Sequence, residues 1–327
     1  MPQLRQNIIT GEWVVIAPER SKRPTDFIVK RQQKSDVKEN CPFCPDSPSY
    51  NNRLSDFDAE NIYVIPNKYP AFLEDQTKCS VRAYKIEDGF YNTRPSSGGH
   101  DVLIIKEHEQ NIFTFNEETW KDLFETAGKR YNYWRKDCNT EYSMLIYNQG
   151  VESGASISHP HAQIFASNIV PNHITRELNG SQKYFENTGG CVYCDLLRHE
   201  LMQKIRVVAE NEKFIAFTFY AARFPFETWI LPKFHSANFV QASVELSVPL
   251  SQIMQQVIGL LGKTLDNPPL NFFVHDLPTA VDKSDFYHWH IEIAPRIAAY
   301  GGFELGAGTI IDVMPPEEAA NYMRLTV

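Results

Sequence analysis

The residues in this chain best placed to do chemistry lie in one run: Gly154-Ala155-Ser156-Ile157-Ser158-His159-Pro160-His161-Ala162-Gln163. In an extended segment alternate side chains share a face, so His159, His161 and Gln163 project together while Pro160 and Ala162 turn away. Proline removes a ladder donor and is confined to strand starts and edges, which predicts a strand beginning at His159-Pro160-His161 beside a cleft. Gly154 and Ser156 add backbone N–H groups and a hydroxyl, a combination suited to a phosphate. Were these histidines merely core residues after a turn, each of the three co-facial polar groups would need its own buried partner.

Four of the six cysteines form Cys41-Pro-Phe-Cys44 and Cys191-Val-Tyr-Cys194. In a reducing compartment such pairs read as metal ligands before disulfides. Each is followed by a histidine at an expected strand end, His108 or His235, and by the first histidine of a His-x-His pair, His159 or His288. That makes two Cys2His2 sets, Cys41, Cys44, His108 and His159, then Cys191, Cys194, His235 and His288. The donor type favours tetrahedral Zn2+, and four protein ligands leave no open position, so both sites are expected to be structural. His161 then lies beside a metal ligand but free of it. A neutral imidazole there is a competent nucleophile, and phosphoryl chemistry suits it, with Ser156 and Gln163 stabilising the non-bridging oxygens. A phosphate leaving group needs no strong general acid, since its second pKa lies at about 6.

Positioning these residues requires strands. A hairpin is expected over residues 7–17, strands over 61–66, 100–108, 141–147 and 163–167, and a helix over 117–136 capped by Asn116. The second half repeats this order, with a helix over 243–265. The separation from His108 to His159 is 51 and from His235 to His288 is 53. An ordered match of this length implies a duplicated α+β unit, its halves taken as 1–180 and 181–327 with the boundary near 168–190. The second half lacks the glycine approach and has Glu292 where the first has Gln163, so it is expected to be a non-catalytic copy. Cys79 and Cys138 stand alone and are expected to pack, while His100, His173, His199 and His275 match no position of the repeat and are expected to be surface or core residues.

A length of 327 residues with 43% hydrophobic content marks a globular chain, and a net charge of -8 argues against nucleic acid as a partner. No apolar run reaches the length of a membrane span and residues 1–10 lack a signal-peptide core, which points to a cytoplasmic protein. Arg20 and Arg23 follow the first hairpin. They could clamp a diphosphate by bidentate contacts, or belong to a solvated charged loop.

Taken together, the Gly154-Ala155-Ser156-Ile157-Ser158-His159-Pro160-His161-Ala162-Gln163 segment resembles the Gly-x-Ser-x-x-His-Pro-His-x-Gln motif of the galactose-1-phosphate uridylyltransferase branch of the histidine-triad superfamily. The resemblance implies tandem histidine-triad-like units with a mostly antiparallel sheet and packed helices. It further implies that His161 becomes nucleotidylated, that Gln163 and Ser156 hold the phosphate, and that Arg20 and Arg23, in Arg20-Ser21-Lys22-Arg23-Pro24, contact phosphates. Asn67 and Asn148 fall on nucleoside-contacting asparagines. A homodimer is implied too, with the acceptor pocket completed by Gly301-Gly302-Phe303-Glu304, hence by Phe303 and Glu304. The substrates implied are a nucleotide sugar and a sugar 1-phosphate, foremost UDP-glucose and a hexose 1-phosphate in galactose metabolism. Ile310 stands where the uridylyltransferases place a glutamine, and the run from Gly302 to Gly308 and the paired Cys-x-x-Cys sites look closer to a sister group of ADP-glucose phosphorylases. Pro160 is the uridylyltransferase choice. A zinc-stabilised nucleotide-binding protein without activity is the alternative of a different class.

Overall fold

The computed structural model describes residues 1–20, 38–74, 85–87, 90–281 and 284–326. Arg23 and Cys79 lie outside them, and of Arg20 only the backbone is described, at the end of a short 3-10 turn. Cys138, expected to pack as a lone cysteine, is disulfide-bonded.

The chain opens with the antiparallel pair β1 (Gln3–Gln6) and β2 (Trp13–Ile16). The hairpin therefore starts earlier than expected, and Ile8 and Ile9 lie in its turn. The reason is Asn7, whose side chain accepts from the Ile9 and Thr10 N–H groups at 2.8 and 3.2 Å and offers the backbone an alternative to a ladder. Next come β3 (Ile62–Pro66), the small pair β4 (Lys85–Glu87) and β5 (Tyr91–Thr93), then β6 (Gly98–Ile105), α1 (Glu117–Trp134), β7 (Tyr142–Gln149) and β8 (His161–Ser167). The expected boundary region is largely a helix, α2 (Asn172–Thr188), followed by α3 (Val192–Gln203). The second half runs through β9 (Val207–Glu210), β10 (Phe214–Thr218), β11 (Thr228–Pro232), α4 (Phe239–Glu245), α5 (Ser247–Leu265), β12 (Leu270–His275) and β13 (His290–Pro295). Last are α6 (Gly302–Ala307), β14 (Ile310–Asp312) and α7 (Pro316–Leu325). The helix expected over 243–265 is two helices, broken at Leu246.

Both halves share one nine-stranded sheet in the order β3-β6-β8-β7-β12-β13-β11-β10-β9, with every neighbouring pair antiparallel. This is the expected α+β architecture. The order β3-β6-β8-β7 is mirrored by β10-β11-β13-β12, and the seam is β7 against β12, where Asn148 pairs with Asn271. A second, three-stranded sheet is ordered β1-β2-β14.

The sheet's two faces differ. Alternation sends Leu103, Ile105, Leu145, Tyr147, Ala162 and Ile164 into the main core against α1 and α5, with Phe272, Val274, Ile291 and Ile293 continuing it across the seam. His100, Val102, Ile104, His161, Gln163 and Asn148 belong to the opposite face. α1 is pinned to β6 by Asp101, which accepts from Arg130 Nε at 2.8 Å and Trp134 Nε1 at 2.7 Å. Gly99 is required there, because a Cβ would lie 2.0 Å from the Trp134 ring. The N-cap of α1 is Asn116, as expected, accepting from the Thr119 N–H at 2.8 Å.

Candidate active site and its second-half counterpart

β8 begins at His161, directly after Pro160, as the proline predicted. His161 Nδ1 lies 2.8 Å from the His159 carbonyl oxygen and can only donate to it. The ring proton is therefore on Nδ1 and the Nε2 lone pair is left for chemistry. Burial lowers the His161 pKa, so the ring is neutral near pH 7. Phe43 packs edge-on against it, with ring centroids 5.0 Å apart. His161 pairs with Ile104 across β6, and Gln163 pairs with Val102, which places the two polar side chains in successive positions on one face.

The first Cys2His2 set closes as the spacing predicted. Cys41 Sγ is 3.4 Å from His159 Nδ1, Cys44 Sγ is 3.3 Å from His108 Nδ1, and the two Nδ1 atoms are 3.0 Å apart. His159 Nε2 donates to the Ile105 carbonyl at 2.6 Å, which fixes the tautomer that aims the Nδ1 lone pair at the cysteines. Burial depresses His159 to about 4 and lifts Cys41 to about 11. Two imidazole Nδ1 atoms converging on two cysteines fit a cation: ligand bonds of about 2.0–2.3 Å bring tetrahedral partners this close, and a bound ion would supply the charge that lets Cys41 ionise.

Cys191, Cys194, His235 and His288 form the second set, again with one ligand atom from each within 4.8 Å of the others. Cys194 Sγ is 3.4 Å from His235 Nδ1 and 3.8 Å from His288 Nδ1. His288 Nε2 donates to the Pro232 carbonyl at 3.1 Å, the counterpart of the bond to Ile105. His108 and His235 are not the last strand residues expected. Each stands three positions beyond its strand, where β6 ends at Ile105 and β11 at Pro232. In each case the chain leaves the strand through a bend before it reaches the histidine.

The approach loop carries Gly150 and Gly154 at φ of +85° and +89°, conformations that favour glycine. Gly154 and Ser156 are exposed on this loop. Asn148, on β7, accepts from Asn271 Nδ2 at 2.7 Å, and the same amide donates to the Ser153 carbonyl at 2.9 Å, tying the loop to the second half. Asn67 follows β3, and its side chain stands beside His100, with Nδ2 3.2 Å from Nε2. Phe303 and Glu304 are not part of this constellation within one chain: they sit on α6, next to β14, where Glu304 accepts from the Gly301 N–H at 2.9 Å. Sequence reasoning missed His100. Its Nε2 is 2.8 Å from Gln163 Oε1. Strand register, unknown from sequence, was the signal required.

His275 and His173 were also missed. They join Glu177, His290, Glu292 and Arg223 in a charge network on the second half's version of the same face. His275 Nδ1 is 3.0 Å from Glu177 Oε1, and Arg223 pairs with Glu292 and donates toward His173. His173, Glu177, His275 and Glu292 could supply four ligand atoms to an ion, but the Arg223 guanidinium already occupies Glu292 and His173.

Two family models cover the chain: "Galactose-1-phosphate uridyl transferase, N-terminal domain" matches residues 1–171 and the corresponding C-terminal domain matches 177–324. The chain is 33% identical to ADP-glucose phosphorylase of Arabidopsis thaliana over 332 residues, 99% of this chain and 92% of that one. It is 27% identical to galactose-1-phosphate uridylyltransferase of Thermotoga maritima, over 100% of this chain and 99% of its relative. The crystal structure of the Arabidopsis thaliana ADP-glucose phosphorylase with bound ADP-glucose superposes with a TM-score of 0.82 at 31% identity, covering 99% of both chains. No helix among the described residues is long and apolar enough to cross a membrane. The chain belongs to the galactose-1-phosphate uridylyltransferase family and is a nucleotidyltransferase enzyme of that family.

Proposed function

We propose that this chain transfers a nucleoside monophosphate from a nucleotide sugar to a phosphate acceptor through a covalent intermediate on His161. The observation that carries the proposal is the 2.8 Å bond from His161 Nδ1 to the His159 carbonyl, which leaves Nε2 as the unprotonated nitrogen on the face that bears Gln163. The Nε2 lone pair attacks the α-phosphorus, forming an N–P bond as the P–O bond to the departing sugar phosphate breaks with its electrons. Hexose 1-phosphate leaves without needing a proton. The second phosphate then attacks the same phosphorus and the N–P bond breaks, restoring the imidazole. Gln163, Ser156 and the Gly154 loop stabilise the non-bridging oxygens, while Arg20, Arg23, Asn67 and Asn148 hold the remaining phosphate and nucleoside.

UDP-glucose with a hexose 1-phosphate, an exchange of galactose metabolism, is the substrate pair that the His-Pro-His motif supports. ADP-glucose with orthophosphate is the second reading, favoured by the 33% identical relative over nearly the whole chain. We assign Zn2+ to both Cys2His2 sets. Cys41, Cys44, His108 and His159 would hold one such ion, which would join the loop after β6 to the start of β8 and steady the His159 carbonyl that orients His161. In this proposal halves 1–180 and 181–327 work as a catalytic and a supporting unit in a cytoplasmic homodimer, with Phe303 and Glu304 of a second copy completing the acceptor pocket.

The test supplies UDP-glucose with galactose 1-phosphate in parallel with ADP-glucose and orthophosphate, with His161→Asn as the blank. Product from the first pair supports the uridylyltransferase assignment, and product from the second alone moves it to phosphorolysis of ADP-glucose. Turnover by the His161→Asn protein would overturn the covalent mechanism. Elemental analysis of the same protein should return two zinc ions per chain, falling to one in Cys194→Ala.

A further inference from the structure

His100 stands on β6 opposite Phe165, so Gln163 is its diagonal neighbour on the site face of β8. Its ring lies over Phe165 at a centroid distance of 3.9 Å and a tilt of 30°, and the residue is 8% exposed. The Ala71 N–H points at Nδ1 from 3.4 Å, so Nδ1 is the acceptor and the ring proton is on Nε2. That proton meets Gln163 Oε1 at 2.8 Å. Burial lowers the pKa of His100, which keeps this single-proton form at neutral pH. A carboxamide is a donor at one end and an acceptor at the other, and unrestrained it presents either. Here the acceptor end is taken, leaving the NH2 as the part of Gln163 that a ligand meets. Asn67 Nδ2, oriented by the Tyr69 N–H on its own Oδ1 at 2.9 Å, stands 3.2 Å from the same ring nitrogen. Both groups at Nε2 are donors, so the Asn67 hydrogens are not spent on the ring.

We propose that His100 is a positioning residue for nucleotidyl transfer, locking the Gln163 carboxamide with its NH2 toward the phosphate on His161. The inference rests on His161 being the nucleotidylated residue. With the lock removed, the amide can turn its carbonyl toward the phosphate, replacing a donor by a repelling oxygen where charge develops.

The experiment follows covalent label on the protein by rapid quench, using UDP-glucose and ADP-glucose each labelled at the α-phosphate. His100→Phe keeps a ring over Phe165 and loses the N–H. Its labelling rate should fall about 10- to 100-fold, with an unchanged melting temperature and a much smaller change in substrate affinity. His100→Gln, which returns an N–H donor at similar reach, should recover most of that loss. In a Gln163→Ala background His100→Phe should cost nothing further, because its effect runs through Gln163. Wild-type labelling with a His100→Phe rate equal to wild type overturns the proposal, as do losses that multiply independently in the double variant. If the wild-type protein takes no label from either substrate, His161 is not the acceptor, and the underlying mechanism fails separately from the role of His100.

Discussion

The two halves build the same histidine twice, and the proposed mechanism makes a nucleophile of His161 alone. In each, the metal-set histidine donates its Nε2–H to a strand carbonyl, His159 to Ile105 and His288 to Pro232. In each, the histidine two positions later donates Nδ1–H back to that residue's carbonyl, His161 at 2.8 Å and His290 at 3.1 Å. Backbone and tautomer are thus common to both. The difference lies in what surrounds Nε2. His161 keeps 7% exposure beside Gln163, whereas His290 is fully buried under Trp229, stacked at 4.6 Å. Its Nε2 faces Glu292 at 3.6 Å and Glu177 at 3.8 Å. Burial lowers both rings, but Glu177 and Glu292 reverse this for His290 and hold it toward the protonated form. The His290 Nε2 is aimed at two buried carboxylates instead of at a ligand face. The roof is built from Ile9, Val14 and Ile16 with Val192, Tyr193 and Leu197 of α3, a second apolar cluster that covers this end of the face. A strand motif of this kind supplies orientation; access and the charge of its neighbours decide whether it reacts.

The comparison breaks most sharply at the histidines themselves. His161→Asn should abolish covalent labelling and turnover, since no other group replaces the lone pair. His290→Asn should label at the wild-type rate in whatever fraction folds, losing stability of about 1–3 kcal/mol for the disturbed buried network. Thermal melts beside labelling separate the two effects, and loss of labelling in folded His290→Asn protein would show that the second half takes part in the chemistry.

Exchanging the neighbour is a smaller change. Gln163→Glu gives the first half the carboxylate of the second: one oxygen can still accept from His100, while the other places negative charge against the phosphate where the amide offered a donor. A fall of about 10²- to 10³-fold in labelling rate is expected, in line with loss of one well-placed donor in a charged transition state. A variant within threefold of wild type would mean that Gln163 does not meet the phosphate.

Much of this was legible in the sequence because it depends on local period and on repetition. Pro160 announced the start of β8, Asn116 announced α1, and both Cys2His2 sets followed from matched order across the halves. What escaped needed register or tertiary partners. His100 reads as an ordinary strand histidine until β6 is laid against β8, and only that pairing brings it diagonal to Gln163. His275 and His173 become meaningful through Glu177, which comes from a helix in the expected linker. Ile8 and Ile9 look like strand residues by composition, yet a single Asn7 side chain turns them into a loop. Phe303 and Glu304 followed from likeness alone, and one chain does not bring them to His161.

The smallest expected effect tests whether the second half's carboxylate now serves stability. Burial alone would raise the Glu292 carboxyl, but Arg223 first, and then His275 and His290, hold it down to about 2 from an ordinary 4.5. A group depressed on folding contributes stability that is fully present above its unfolded pKa and is lost as pH falls through the folded one. The wild-type melting temperature should therefore drop progressively between pH 4.5 and about 2. Glu292→Gln should start lower at neutral pH, because Arg223 loses its partner, and then fall less steeply through the same window. Glu177 shares His275 and His290 with Glu292, so the difference between the two curves reads the Glu292 carboxylate together with its coupling to Glu177. Parallel curves would mean that Glu292 exchanges no proton on folding, and that its standing where the first half has Gln163 reflects the exclusion of phosphate rather than an ion pair that holds the second half together.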